Sequence, residues 1–113
     1  MKRSLDCNDV ALAIAIYNNS WAPTQSLWSP GQGMALMALE QGVTQGRNSL
    51  GNIYVMVAGN DWENQRNINT NLFANSRYAI AVGAVDRNGN KAAYSQEGSP
   101  LFIQAAEVDF STF

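Results

Sequence analysis

The feature that most restricts what this chain can fold into is an unbroken apolar run, Ile53-Tyr54-Val55-Met56-Val57, which ends in Ala58-Gly59-Asn60. A short β-prone run without polar alternation predicts a strand covered on both faces, as in a parallel sheet. Its end delivers a side-chain amide to a loop, a common way to edge a pocket. Against this, the sequence contains no histidine, the side chain that most often carries protons near neutral pH. Asn is also frequent in turns because it tolerates left-handed backbone, so Asn60 alone is open to either reading.

Other apolar segments give this strand its neighbours. Val10 to Tyr17 lacks period-two alternation and predicts another doubly covered strand. After Ser29-Pro30-Gly31, the residues Leu36, Leu39 and Val43 recur at spacings of three and four, with Ala35 and Ala38 alongside. That is a helix with a narrow packing face, with Ser29 as N-cap and Pro30 in the first turn. Gly46 and Asn48 are stop signals, and Arg47 suits a helix C-terminus. Tyr78 to Val85 predicts a strand, and Leu101-Phe102-Ile103 a shorter one. Between them, Asp86-Arg87-Asn88-Gly89-Asn90 is turn chemistry. Residues 61–71 read as a long polar loop.

The order strand, helix, strand, strand predicts an α/β layer on a mainly parallel sheet. Ligands of such sheets bind beyond the carboxyl ends of the strands. If the first two strands are parallel neighbours, loops 18–23 and 59–71 open on the same edge.

Composition narrows the function classes. At 113 residues this is one domain at most, or part of one, and 46% hydrophobic with 14% charged residues fits a chain that buries a core. Net charge is -2 with seven basic residues scattered along the chain, so no nucleic-acid partner is expected. Cys7 is the single cysteine, which leaves neither an internal disulfide nor a nitrogen- or sulfur-ligated metal site to expect. Met1-Lys2-Arg3 ahead of Val10-Ala11-Leu12-Ala13-Ile14-Ala15-Ile16 imitates a secretion signal. However, Asp6 and Asp9 intervene and no small-residue cleavage site follows. The run reads instead as a buried strand, or the last turn of a helix leading into one, and it is far too short to span a membrane.

Three weaker patterns are outweighed by plainer readings. Gly31-Gln32-Gly33 lacks the third glycine of a dinucleotide loop, with Leu36 in its place, and no strand precedes it. Asp86, Asn88, Asn90 and Glu97 have the ligand spacing of a calcium loop, but Lys91 stands where its sharp turn needs glycine. A hairpin-type turn is expected there. Asp6, Asp9, Glu40, Asp61, Glu63, Glu97, Glu107 and Asp109 are dispersed without a spacing that pairs them for acid–base work.

Ile16-Tyr17-Asn18-Asn19-Ser20-Trp21-Ala22-Pro23 resembles the Ser-Trp-Gly-Pro segment of subtilases, the subtilisin-like serine proteases, in their kexin and furin branch. Ala38-Leu39-Glu40-Gln41-Gly42-Val43-Thr44-Gln45-Gly46-Arg47, Gly51-Asn52-Ile53-Tyr54-Val55 and Ala58-Gly59-Asn60 follow in the branch's order. So do Ala74-Asn75-Ser76-Arg77-Tyr78, Val82-Gly83-Ala84-Val85, Asn88-Gly89 and Tyr94-Ser95, at similar spacing, from roughly Asp9 to Ala106. The resemblance implies that residues 1–113 are part of a subtilisin-like three-layer α/β sandwich with a mainly parallel sheet, and that the parent is a serine endopeptidase. It implies that Ser20, Trp21, Ala22 and Pro23 pair with substrate backbone and wall the primary specificity pocket. Ala58 and Gly59 would form another wall, and Asn60 would be the oxyanion-hole amide. A carboxamide NH₂ can donate to the negative oxygen of a tetrahedral intermediate, which agrees with that role.

Departures from the family carry equal weight. The family's Gly-Thr-Ser motif, which holds the nucleophile, is not in this sequence, and no histidine exists to serve as base. The family's order is Asp, His, Ser, so the resemblance covers the stretch between base and nucleophile, and the chain is expected to be inactive alone. Ala22 stands where the branch has glycine. Gln25, Arg66, Asn71 and Gln96 stand where the furin-like branch places carboxylates for basic side chains and calcium. Family members often bind structural calcium, but these residues do not supply that charge, so no cofactor is expected in this chain. The implied partner is a peptide or protein substrate of the parent enzyme. The family is usually secreted or in the secretory pathway, although no signal peptide is expected here. Two readings stay open: a piece of a longer protease, or a non-catalytic peptide-binding module or pseudoenzyme. The second predicts a cooperative melt and loss of peptide binding on Trp21→Ala.

Overall fold

A computed structural model describes residues 14–22 and 32–106. Strands β1 (Ile16–Asn19), β2 (Ile53–Val57), β3 (Ala79–Val85) and β4 (Leu101–Ala106) form one sheet in chain order. Every pairing is parallel: Ile16 lies beside Ile53, Val55 beside Ile80, and Val82 beside Ile103. Helix α1 (Gln32–Ser49) joins β1 to β2. This is the expected α/β class.

Several boundaries move for local reasons. The expected first strand began at Val10, but residues 10–13 lie outside the described residues, and β1 runs on through Asn18 and Asn19. The Asn19 amide donates to the carbonyls of Tyr17 and Val55, at 3.1 and 3.3 Å, so a polar side chain prolongs the pairing. β3 begins one residue later than expected, after the Ser76 hydroxyl accepts from Tyr78 N–H at 3.2 Å. β4 is longer than expected because β3 offers it partners as far as Ala106.

The expected N-cap Ser29 and Pro30 fall outside the described residues. The stop signals hold: Gly46 leaves helical geometry with ψ 151°, and Arg47 and Asn48 turn left-handed at φ 53° and 56°. The Gly51 N–H then donates back to the Gly46 carbonyl at 2.9 Å, and the Arg47 guanidinium donates to the Gly51 carbonyl at 3.3 Å.

Side chains alternate across a strand, so Tyr54 and Met56 face one way while Ile53, Val55 and Val57 face the other. The core lies on the first side. Leu39 of α1, Met56, Ala58, Ala81, and Ile68 and Ala74 from the β2–β3 connection are buried together. The β3–β4 connection covers the same side, since Gly98 packs on Ile68 and Ser95 lies against Gly83. On the other side Ile16, Ile53, Ile80 and Ile103 are 58, 43, 36 and 53% exposed. The expectation of strands covered on both faces is therefore corrected. Parallel crossovers are right-handed as a rule, so strands added in one direction place every connection on one side of the sheet. A second layer requires connections that run the opposite way.

The polar loop 61–71 is also more ordered than its composition implied. It contains two short 3-10 turns, Trp62–Asn64 and Ile68–Thr70. Asn67 Oδ1 accepts from Asn69 N–H at 2.7 Å, and Asn71 Oδ1 accepts from Phe73 and Ala74 N–H at 3.1 Å. These side chains replace backbone partners and let Ile68 drop fully into the core.

Residues 86–90 form the expected turn. Asp86 Oδ1 accepts from Asn88 and Asn90 N–H at 2.8 and 2.9 Å. Bonding from the Asn90 backbone above all holds this carboxyl below its ordinary 3.8. A carboxyl depressed by folding adds stability above its unfolded value, and that contribution is lost as pH falls through the folded value. Thermal melts followed from pH 7 downward should thus fall more steeply below about pH 4 for the natural chain than for Asp86→Asn. Identical profiles for the two would refute this role.

Candidate active-site cleft

β1 and β2 end side by side, so the loops that follow them open on one edge. Ala58 N–H still donates to the Val82 carbonyl at 2.8 Å, which carries the β2–β3 pairing one residue further. Gly59 then turns the chain at φ +111°, a backbone that L side chains rarely adopt, and a Cβ there would lie 2.8 Å from Gln96 Cδ. Asn60 emerges next, exposed, into a cleft of about 270 Å³ shared with Asn18, Ser20, Ala58, Gly59 and Tyr94. Among the described residues the Asn60 carboxamide has no hydrogen-bond partner. It is held at a strand end with its donors unspent.

The predicted site residues separate into two groups. Ser20, Ala58, Gly59 and Asn60 line the cleft together. Trp21 does not: its ring stands edge-on to Phe73 with centroids 5.6 Å apart, in a second cavity of about 220 Å³ on the α1 side. That cavity is apolar, lined by Ala35, Ala38, Tyr54 and Met56. Ala22 is half-buried and lines neither cavity, and Pro23 and Gln25 lie outside the described residues. Arg66 pairs with Asp61 at 3.0 Å, directly after the Asn60 turn. Gln96 is buried against Gly59, and Asn71 serves as the cap already described.

One element of the site escapes sequence reasoning. Residues 91–97 form a strap along the Asn60 loop. Gln96 N–H donates to the Gly59 carbonyl at 3.1 Å, and Trp62 N–H donates to the Tyr94 carbonyl at 3.2 Å. These bonds bracket Asn60 on both sides. Ser95 anchors the strap to the sheet, its hydroxyl accepting from Ala84 N–H at 3.0 Å. No periodicity announces such pairing, because its partners are far apart along the chain.

Chemically, the cleft offers an amide donor on a clasped stretch of backbone at the end of a parallel strand, a place where charge on a bound carbonyl oxygen can be met. Among the described residues no group of three or more His, Cys, Asp or Glu converges on a metal position, and no helix is long and apolar enough to cross a membrane.

Comparisons with known proteins agree with this architecture. Residues 7–112 match the model of the Peptidase_S8 (subtilase) family. Kexin of Saccharomyces cerevisiae is 38% identical over 119 residues, covering 93% of this chain and 14% of its own length. Proprotein convertase subtilisin/kexin type 7 of Homo sapiens is 36% identical over 85 residues, covering 73% of this chain and 11% of its own. The crystal structure of the serine protease of Aeromonas sobria superposes with a TM-score of 0.67 at 21% identity, over 80% of this chain and 18% of that one. That last likeness bears on the fold alone. The chain thus spans about a tenth to a seventh of the length of these curated relatives. With a family match over nearly all its residues and the same parallel α/β sheet, the chain belongs to the subtilase family.

Proposed function

We propose that this chain is the middle portion of a subtilisin-like serine endopeptidase domain. It carries the oxyanion-hole amide, Asn60, and one wall of the substrate cleft, and it does not hydrolyse peptide bonds by itself. The observation that carries this reading is the exposed Asn60 carboxamide at the end of β2, facing a cleft that Ser20 shares. When a nucleophile attacks a peptide carbonyl, charge moves to the carbonyl oxygen. A preorganised NH₂ stabilises that oxygen more than the ground-state carbonyl, and thereby lowers the barrier. Removing one such donor costs roughly 10² to 10³ in turnover, a magnitude that comes from subtilisin, the namesake of this family. The nucleophile and the base belong to parts of such a domain that this sequence does not contain. Segment 20–22 leaves the carboxyl end of β1 with Ser20 on the cleft, a position from which extended backbone can pair with a peptide substrate.

The exposed isoleucines on the far face of the sheet support the same reading. Ile16, Ile53, Ile80 and Ile103 are placed as core residues of a larger domain whose second layer packs on them. A stand-alone peptide-binding module would have to cover that face another way. Calcium has no part in the proposal. At the positions matching the furin-like carboxylates, Arg66 brings a guanidinium already paired with Asp61, and Gln96 a buried neutral amide. Neither fits a cage of anionic oxygens.

The test is a cleavage assay of the purified chain on casein and on fluorogenic peptides. No turnover is expected. Turnover abolished by a serine-directed fluorophosphonate would overturn the reading.

A further inference from the structure

We propose that Lys91 is a positioning residue for Asn60: its ammonium latches the 91–97 strap to the loop that carries the amide. The proposal rests on Asn60 being the oxyanion donor. Three groups of different kinds meet this one ammonium. Nζ donates to the Ser95 carbonyl at 3.1 Å, lies 3.4 Å from Glu97 Oε1, and sits over the Trp62 ring 4.4 Å from its centroid. Ser95 and Glu97 belong to the strap, while Trp62 belongs to the loop just beyond Asn60. An ammonium has three donors and no acceptor, so it serves such a set without conflict.

The lysine is itself held. Its backbone bridges Val85 in antiparallel fashion, and the next N–H, from Ala92, donates to Ala84 at 2.9 Å. The latch therefore has a fixed end on the sheet and a free end over Trp62. Its closure keeps the two strap bonds formed, Gln96 to Gly59 and Trp62 to Tyr94, and Asn60 sits between them. An ordinary surface ion pair contributes little. Here the Lys91 side chain is only 24% exposed, and a partly desolvated cation over an indole face is stronger than an exposed one.

The test compares K91M and K91R with the unsubstituted 113-residue chain, and uses two readouts. The first is amide hydrogen exchange by NMR. K91M is expected to speed exchange at Trp62 and Gln96 by about tenfold, the scale of a lost cation–π and charged hydrogen bond, while β2 and β3 amides stay protected. K91R, which keeps the charge and the stacking, is expected to restore slow exchange. The second is the ratio of affinities for a peptide phosphonate, a tetrahedral anion, and the peptide amide of the same sequence. K91M is expected to lower that ratio and K91R to restore it.

Unchanged exchange at Trp62 and Gln96 in K91M overturns the latch, and so does an equal rise across the whole sheet. N60A separates the two proposals: if it leaves the phosphonate preference intact, the oxyanion reading fails, while the exchange data still judge the latch. Should K91M not fold, W62L removes the ring alone and is read by the same exchange criterion.

Discussion

Gly59→Ala is expected to lower the melting temperature by at least about 10 °C and to displace Asn60 from the cleft. Two costs add. At φ +111° an alanine is strained whatever the space around it, which costs roughly 1–3 kcal/mol. Its methyl would also stand 2.8 Å from Gln96 Cδ, and Gln96 is only 8% exposed, so a buried side chain must move. Overpacking of that kind adds about 1–3 kcal/mol. For a domain near this size each kcal/mol is worth roughly 4–8 °C. Gly89→Ala is the control, because its φ is +82° but nothing lies within 4 Å of the new methyl. Thermal melts of the two variants, followed by circular dichroism, decide the matter. An equal fall at both sites would mean that the Gln96 contact contributes nothing.

The second large effect concerns the core. Ile68 is fully buried, although it sits in a stretch rich in asparagine. Ile68→Ala removes packing against the Met56–Ala81 side of the sheet and should cost about 2–5 kcal/mol. Domains of this kind have on the order of 5–15 kcal/mol in total, so the variant would lose much of its stability. Ile103→Ala is the matching change on the other face, where the side chain is 53% exposed. It should cost under about 0.5 kcal/mol. Urea titrations measure both. A cost at Ile103 as large as at Ile68 would falsify its exposure, because it would mean that this part of the face is covered in solution.

How much of this was legible depends on the range of each interaction. The apolar run 53–57, the Leu36–Leu39–Val43 spacing, the Gly46 stop and the Asp86–Asn90 turn are local, and all appear where the sequence places them. The delivery of Asn60 to the loop after β2 was legible too, because a strand end followed by glycine and an amide is a local arrangement, whereas the cleft it lines was not written in those residues. The strap was not. Lys91 enters the sequence reading only as the residue that spoils a calcium-loop spacing, yet in the fold it meets Trp62, Ser95 and Glu97. Ile68 was hidden for the opposite reason: polar neighbours masked it, and their side chains proved to be the turn scaffold that buries it.

Trp21 shows the limit most clearly. Its place in the chain, beside Ser20, is shared with the cleft, but consecutive side chains leave an extended segment on opposite sides. The tertiary structure sends it to Phe73 and the α1 side instead. The sequence by itself determined the element types, their order, and the delivery of an amide to the carboxyl edge of a parallel sheet. Only the tertiary structure decided which sheet face is covered, which side of the sheet Trp21 joins, and which distant residues clasp the Asn60 loop. Periodicity and turn chemistry act over a few residues and are written along the chain. Winding direction and strap pairing join segments far apart in it, so they exist only once the strands have assembled.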